Sequence, residues 1–103
     1  MRIFKPRANR EPVLVTREIQ IQNELGLHAR PAAQFARQAG GFQAEITLIR
    51  GGNRYRASSL IEILRANLEC GATATLEANG PDAEEAVERI AKLLNELHHH
   101  DKS

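Results

Sequence analysis

Apolar residues along the chain keep one of two spacings, and the points where the spacing changes mark out the elements. Val13, Val15, Ile19 and Ile21 recur every second residue, with Arg17 in the same register, which predicts a strand across about Val13–Gln22. Asn23–Gly26 reads as a turn. From Ala29 the period becomes helical: Ala29, Ala32, Ala33, Ala36 and Ala39 form a stripe with Phe35 at its edge, while Arg30, Gln34, Arg37 and Gln38 lie elsewhere on the surface. Pro31 is tolerated only in a first helical turn, so the helix starts at or just before Ala29. Gly40–Gly41 supplies a left-handed stop.

The remaining chain repeats the two periods. Phe42–Arg50 reads as a strand with Ala44, Ile46 and Leu48 on one face. Gly51–Gly52–Asn53 is a hairpin signal, followed by a short return strand Arg54–Ala57. A helix begins at Ser58 or Ser59, carries Leu60, Ile61, Ile63, Leu64 and Leu68, and is closed by Gly71. Ala72–Ala78 alternates, with Ala72, Ala74, Leu76 and Ala78 facing one way and Thr73, Thr75 and Glu77 the other. Asn79–Gly80–Pro81 reads as a turn into a long helix whose apolar face is Ala83, Ala86, Val87, Ile90, Leu94 and Leu97. Asp82, Glu84 and Glu85 sit at its positive end and Lys92 and the histidines toward its negative end, which suits the helix dipole.

The order is β-α-β-β-α-β-α. Alternating strands need cover on one face only, so the pattern predicts an α+β, two-layer open-faced sandwich: a four-stranded antiparallel sheet covered on one side by three helices.

Composition narrows the class. A chain of 103 residues has room for one domain. Aromatic residues make up 4%, so the core is aliphatic. Fourteen basic and thirteen acidic side chains leave no general pull toward nucleic acid or an anionic membrane. Basic charge gathers only in residues 1–12, where Arg2, Lys5, Arg7 and Arg10 face Glu11 alone; this stretch reads as a flexible extension before a domain spanning 13–97. Cys70 is the single cysteine, which rules out an internal disulfide and fits a reducing compartment. No apolar run reaches the roughly 20 residues of a membrane helix, and no secretory h-region follows the N-terminal charges. Together these features predict a soluble, cytoplasmic protein without membrane insertion; it is expected to be a monomer.

Chemistry concentrates in Gly26-Leu27-His28-Ala29-Arg30-Pro31-Ala32. His28 precedes the first turn of a helix, beside amides with no intrahelical acceptor and the positive end of the dipole, a setting that attracts phosphate. Arg30 adds a fork of donors matched to phosphate oxygens. The same setting disfavours imidazolium and so favours the neutral, nucleophilic imidazole. These residues leave two readings open: a histidine that carries a covalent phosphoryl group, and a histidine that only caps a helix.

The segment Gly26–Ala32, with Ala33-Gln34-Phe35 after it, resembles the active-site signature of the HPr family, the histidine-containing phosphocarriers of the bacterial phosphotransferase system, and the likeness extends over roughly residues 15–97. The resemblance implies a carrier rather than an enzyme, needing no cofactor and no metal. His28 would take phosphate through Nδ1 from phospho-enzyme I and pass it to a histidine of enzyme IIA domains. Arg30 would stabilise the phosphoryl group, helped by the backbone amides of Ala29 and Arg30. The pathway is either sugar uptake or the related nitrogen-regulatory branch. Leu25 departs from the family, which often has a small or polar residue three places before the histidine; leucine there cannot hydrogen-bond the site.

Ser59 and Glu62, three apart before an apolar run, form the pattern of a capping box, in which the glutamate reaches back to the cap amide. The family resemblance aligns Ser59 with a serine phosphorylated by HPr kinase/phosphorylase in many bacteria, although Ser58 replaces the usual lysine and Glu62 would repel a phosphate. Leu60, Ile61, Ile63, Leu64 and Leu68 cannot all face inward. By resemblance, Ile61 and Leu64 lie on the apolar patch that docks enzyme I and the IIA domains. His98, His99 and His100 are adjacent in sequence and do not converge on one ion, so residues 98–103 read as a solvated, frayed tail. A purely regulatory binding module would have no need of His28, Arg30 and Pro31 together. A nucleic-acid-binding domain would need a basic face and aromatic platforms that are missing.

Overall fold

The computed structural model describes residues 13–102, with side chains through His98. The expected extension, residues 1–12, lies outside the described residues. Seven elements follow in the order β1 (Val13–Gln20), α1 (Ala29–Gly40), β2 (Glu45–Arg50), β3 (Asn53–Arg56), α2 (Leu60–Arg65), β4 (Thr73–Gly80) and α3 (Ala83–Lys102). The backbone of α3 is helical over 98–102, which takes in most of the stretch read as a tail. No helix among the described residues is long and apolar enough to cross a membrane.

The strands form one antiparallel sheet in the order β1-β4-β2-β3. β4 therefore sits inside, pairing Ile19 with Ala74 on one side and Leu48 with Leu76 on the other. Inward positions Ile19, Ile46, Leu48, Ala74, Leu76 and Ala78 are buried under the helices with Ala83, Ala86, Val87, Ile90, Leu94 and Leu97 of α3. The other face carries Thr16, Thr47, Thr75 and an Arg54–Glu77 ion pair beside the apolar Leu14 and Ile49. Arg17 falls in the inward register of β1 but beyond the apolar core, where its guanidinium lies 3.6 Å from Glu88 of α3.

Several local expectations change. In α1 the buried residues are Pro31, Ala32, Phe35, Ala36 and Ala39. Phe35 is fully buried at the centre of the stripe rather than at its edge, and Ala29 is exposed. Helix α1 ends without a left-handed residue. Gly41 stays right-handed at φ −86° and its amide donates to the Gln38 carbonyl at 3.1 Å, tightening the last turn. The amides beyond, Gln43 and Ala44, donate to the Asp82 carboxylate at 2.9 and 2.7 Å, so an acid at the mouth of α3 anchors the exit from α1.

Asn79 and Gly80 continue β4 instead of turning, because β1 and β2 offer partners: Gly80 pairs with Val13 and Asn79 with both Leu14 and Glu45. A Cβ on Gly80 would lie 2.5 Å from the Ala44 Cα, so close backbone approach is what requires glycine there. Helix α2 stops at Arg65, five residues before Cys70; Asn67 turns left-handed at φ 54°, and Leu68 is buried from the irregular segment after the helix rather than from the helix. Gly71 turns the chain later, at φ +90°, and does not close the helix.

Candidate functional site

His28 occupies the N-cap of α1 with extended backbone (φ −80°, ψ −170°). Its carbonyl accepts the Ala32 amide at 2.8 Å, so the backbone starts the helix, yet its imidazole makes no capping hydrogen bond. The ring is exposed. Pro31 has no amide, which leaves the amides of Ala29 and Arg30 as the donors of the first turn, and neither has an acceptor among the described residues. Both residues are exposed, as is the Arg30 side chain. His28, the amides of Ala29 and Arg30, and the exposed Arg30 side chain thus belong to the same helix end. That helix end carries about half a positive charge.

The loop before His28 is held from below. Leu27 is 5% exposed, and its amide donates to the Leu68 carbonyl at 2.8 Å. Gly26 has φ +71°, and a Cβ on it would lie 2.7 Å from the Leu68 oxygen and 2.9 Å from the Glu69 Cα. Two further bonds join the same strips of chain: Ile21 N to Ala72 O at 2.8 Å and Gly71 N to Ile21 O at 2.7 Å. Leu25, in the turn above, is 76% exposed.

Chain residues 15–96 match the family described as "PTS HPr component phosphorylation site". The chain belongs to the HPr family. Among curated HPr-family relatives, the phosphocarrier protein HPr of Vibrio cholerae is 42% identical over 82 residues, 80% of this chain and 96% of that protein. The phosphocarrier protein NPr of Shewanella violacea is 39% identical over 79 residues, 77% of this chain and 87% of that one. The crystal structure of an HPr from Thermoanaerobacter tengcongensis superposes with a TM-score of 0.79 at 32% identity, covering 82% of this chain and 96% of that one. HPr proteins are phosphocarriers of the phosphotransferase system and not catalytic enzymes. The open-faced sheet with three helices is their fold.

Away from α1, Ser59 is the N-cap of α2 and its hydroxyl accepts the Glu62 amide at 3.3 Å. The reciprocal half of the capping box does not form. The Glu62 carboxylate passes the cap and accepts the Arg56 amide at 2.6 Å, because the Ser59 amide is already donated to the Arg56 carbonyl at 3.1 Å. Ile61 and Leu64 are 67% and 42% exposed and Leu60 is 38% exposed, while Ile63 alone of the helix is buried. Sequence reasoning missed Arg50 and Asp82, whose bonds join segments 16 and 38 or more residues apart. Nothing in their neighbourhood along the chain marks them; only the acid before a helix hinted at Asp82.

Proposed function

We propose that His28 accepts a phosphoryl group from phospho-enzyme I and delivers it to a histidine on an enzyme IIA domain, in the cytoplasm. The observation that carries the reading is the exposed His28 residue at a helix N-cap, its imidazole making no capping hydrogen bond, beside the exposed first-turn residues Ala29 and Arg30. A lone pair on Nδ1 attacks phosphorus, the N–P bond to the donor histidine breaks, and the phosphoryl oxygens settle against the Ala29 and Arg30 amides. Arg30 adds charge-assisted hydrogen bonds from its guanidinium. Transfer onward reverses the same steps, so the carrier must bind phosphate well enough to hold it and weakly enough to release it. Ile61 and Leu64, apolar and exposed on α2, dock both partners.

The test is to incubate the protein with enzyme I and phosphoenolpyruvate. Acid-labile phosphate on His28 is expected, with no label on His28→Ala; label persisting on that variant would refute the assignment. Arg30→Ala is expected to keep the fold and lose about 100-fold in transfer rate.

Ser59 is the proposed site of regulatory phosphorylation by an HPr kinase/phosphorylase. Its position at a helix N-terminus supports this, since a phosphate there meets free amides and the dipole. The Glu62 carboxylate accepts the Arg56 amide, so part of its acceptor capacity is already hydrogen-bonded. Mass spectrometry after exposure to such a kinase and ATP decides it. The sugar or nitrogen compound served is set by the partners, because the carrier meets only protein histidines.

A further inference from the structure

Arg50 ends β2, and its guanidinium Nη1 donates to two successive carbonyls just past α2, Ala66 O at 3.0 Å and Asn67 O at 2.8 Å. Helix ends leave such carbonyls without intrahelical donors. Here one strand side chain supplies them, at the point where Asn67 turns left-handed. The Asn67 carbonyl also accepts the Glu69 amide at 3.0 Å, and the Asn67 side chain donates to the Glu69 carboxylate at 3.0 Å. Residues 66–69 are therefore a tight strip fastened to the sheet through Arg50.

The loop carrying His28 lies on that strip. Leu68, the next residue after Asn67, gives its carbonyl to the Leu27 amide at 2.8 Å, and Leu27 directly precedes His28. The missing Cβ of Gly26 is what lets the two backbones meet. Displacing Asn67 moves the Leu68 carbonyl, and with it the Leu27 amide and the start of α1. A shift of about 1 Å in a reacting group can cost roughly 100-fold in rate.

We propose that Arg50 is a positioning residue for phosphotransfer at His28, acting through residues 66–68; this rests on His28 being the phosphoacceptor. The guanidinium fixes the height of the strip beneath the loop, and so the angle at which the imidazole and the Ala29 and Arg30 amides meet a phosphoryl group. A residue that merely ended α2 would change stability alone. A positioning residue also changes the surroundings of the His28 ring.

Three variants of the full chain test this: Arg50→Ala, Arg50→Lys, and Arg54→Ala, which removes an equal charge from the open sheet face. Expected for Arg50→Ala is a rate of phosphorylation by enzyme I and phosphoenolpyruvate lower by about tenfold. The His28 ring resonances should shift and the Leu27 amide should lose protection from hydrogen exchange. Arg50→Lys keeps the charge but ends one atom short of the Nη1 that makes both bonds, and should fall between. Arg54→Ala should match the parent. If Arg50→Ala fails to fold, Arg50→Lys decides: a lowered rate with shifted ring resonances supports the proposal, and a parental rate overturns it. A parental rate in Arg50→Ala, or equal losses in Arg54→Ala, also overturns it. Absence of label on His28 in the parent would instead sink the phosphoacceptor reading, and the ring and amide measurements, which need no phosphate, would still report whether Arg50 positions the loop.

Discussion

Replacing Gly26 by alanine separates two costs that the structure makes distinct. Gly26 has φ +71°, and a methyl group there would sit 2.7 Å from the Leu68 oxygen and 2.9 Å from the Glu69 Cα. Both contacts are backbone, so no side chain can swing aside. Left-handed backbone costs an alanine roughly 1–2 kcal/mol. Forcing a methyl into filled space adds about 1–3 kcal/mol. The total is about 2–5 kcal/mol, or at least about 8 °C in melting temperature for a domain of this size. Gly51 provides the reference: its φ is +59°, with nothing within 4 Å of a built Cβ. Gly51→Ala should therefore show only the conformational part, roughly 1–2 kcal/mol. Urea unfolding of both variants, followed by circular dichroism, gives the difference from midpoints at common slope. Gly26→Ala should be less stable than Gly51→Ala by about 1–3 kcal/mol. It should also lose protection at the Leu27 amide and lag in phosphorylation. Equal stabilities within about 0.5 kcal/mol would refute the claim that the two backbones are in contact at Gly26.

Two further outcomes follow from α2. Ser59→Ala should cost about 1 kcal/mol through loss of the hydroxyl that accepts the Glu62 amide, read by thermal unfolding; no loss would mean that this cap is not formed in solution. Ile61→Ser should leave stability within about 0.5 kcal/mol, because Ile61 is 67% exposed, and Leu64→Ser, at 42% exposed, should cost about 1 kcal/mol, while both raise the KM for enzyme I. A KM at the parental value in both would remove α2 from the docking surface.

What could be read from the residues alone was whatever local chemistry decides. Pro31 permits a helix only if it begins where α1 begins, and the paired glycines at 51–52 permit only a tight reversal. The apolar face of α3 is visible as spacing and is buried as read. His28 and Arg30 were legible together because both lie at the one helix start that Pro31 fixes in the sequence.

Tertiary structure decided the rest, for reasons of reach. β4 enters the sheet between β1 and β2, and a strand's own sequence does not name its neighbours. That placement carries pairing through Asn79 and Gly80, residues whose local preference is a turn. Helix α2 stops early because donors from a distant strand, supplied by Arg50, satisfy the carbonyls beyond it, while apolar spacing by itself would have let the helix run on to Gly71. Glu62 abandons its expected cap because the Arg56 carbonyl already holds the Ser59 amide. The proposed phosphoacceptor segment was therefore written in seven consecutive residues, whereas the strip at 66–69 on which its loop lies, and the Arg50 bonds to that strip, exist only once segments remote in sequence have folded against each other.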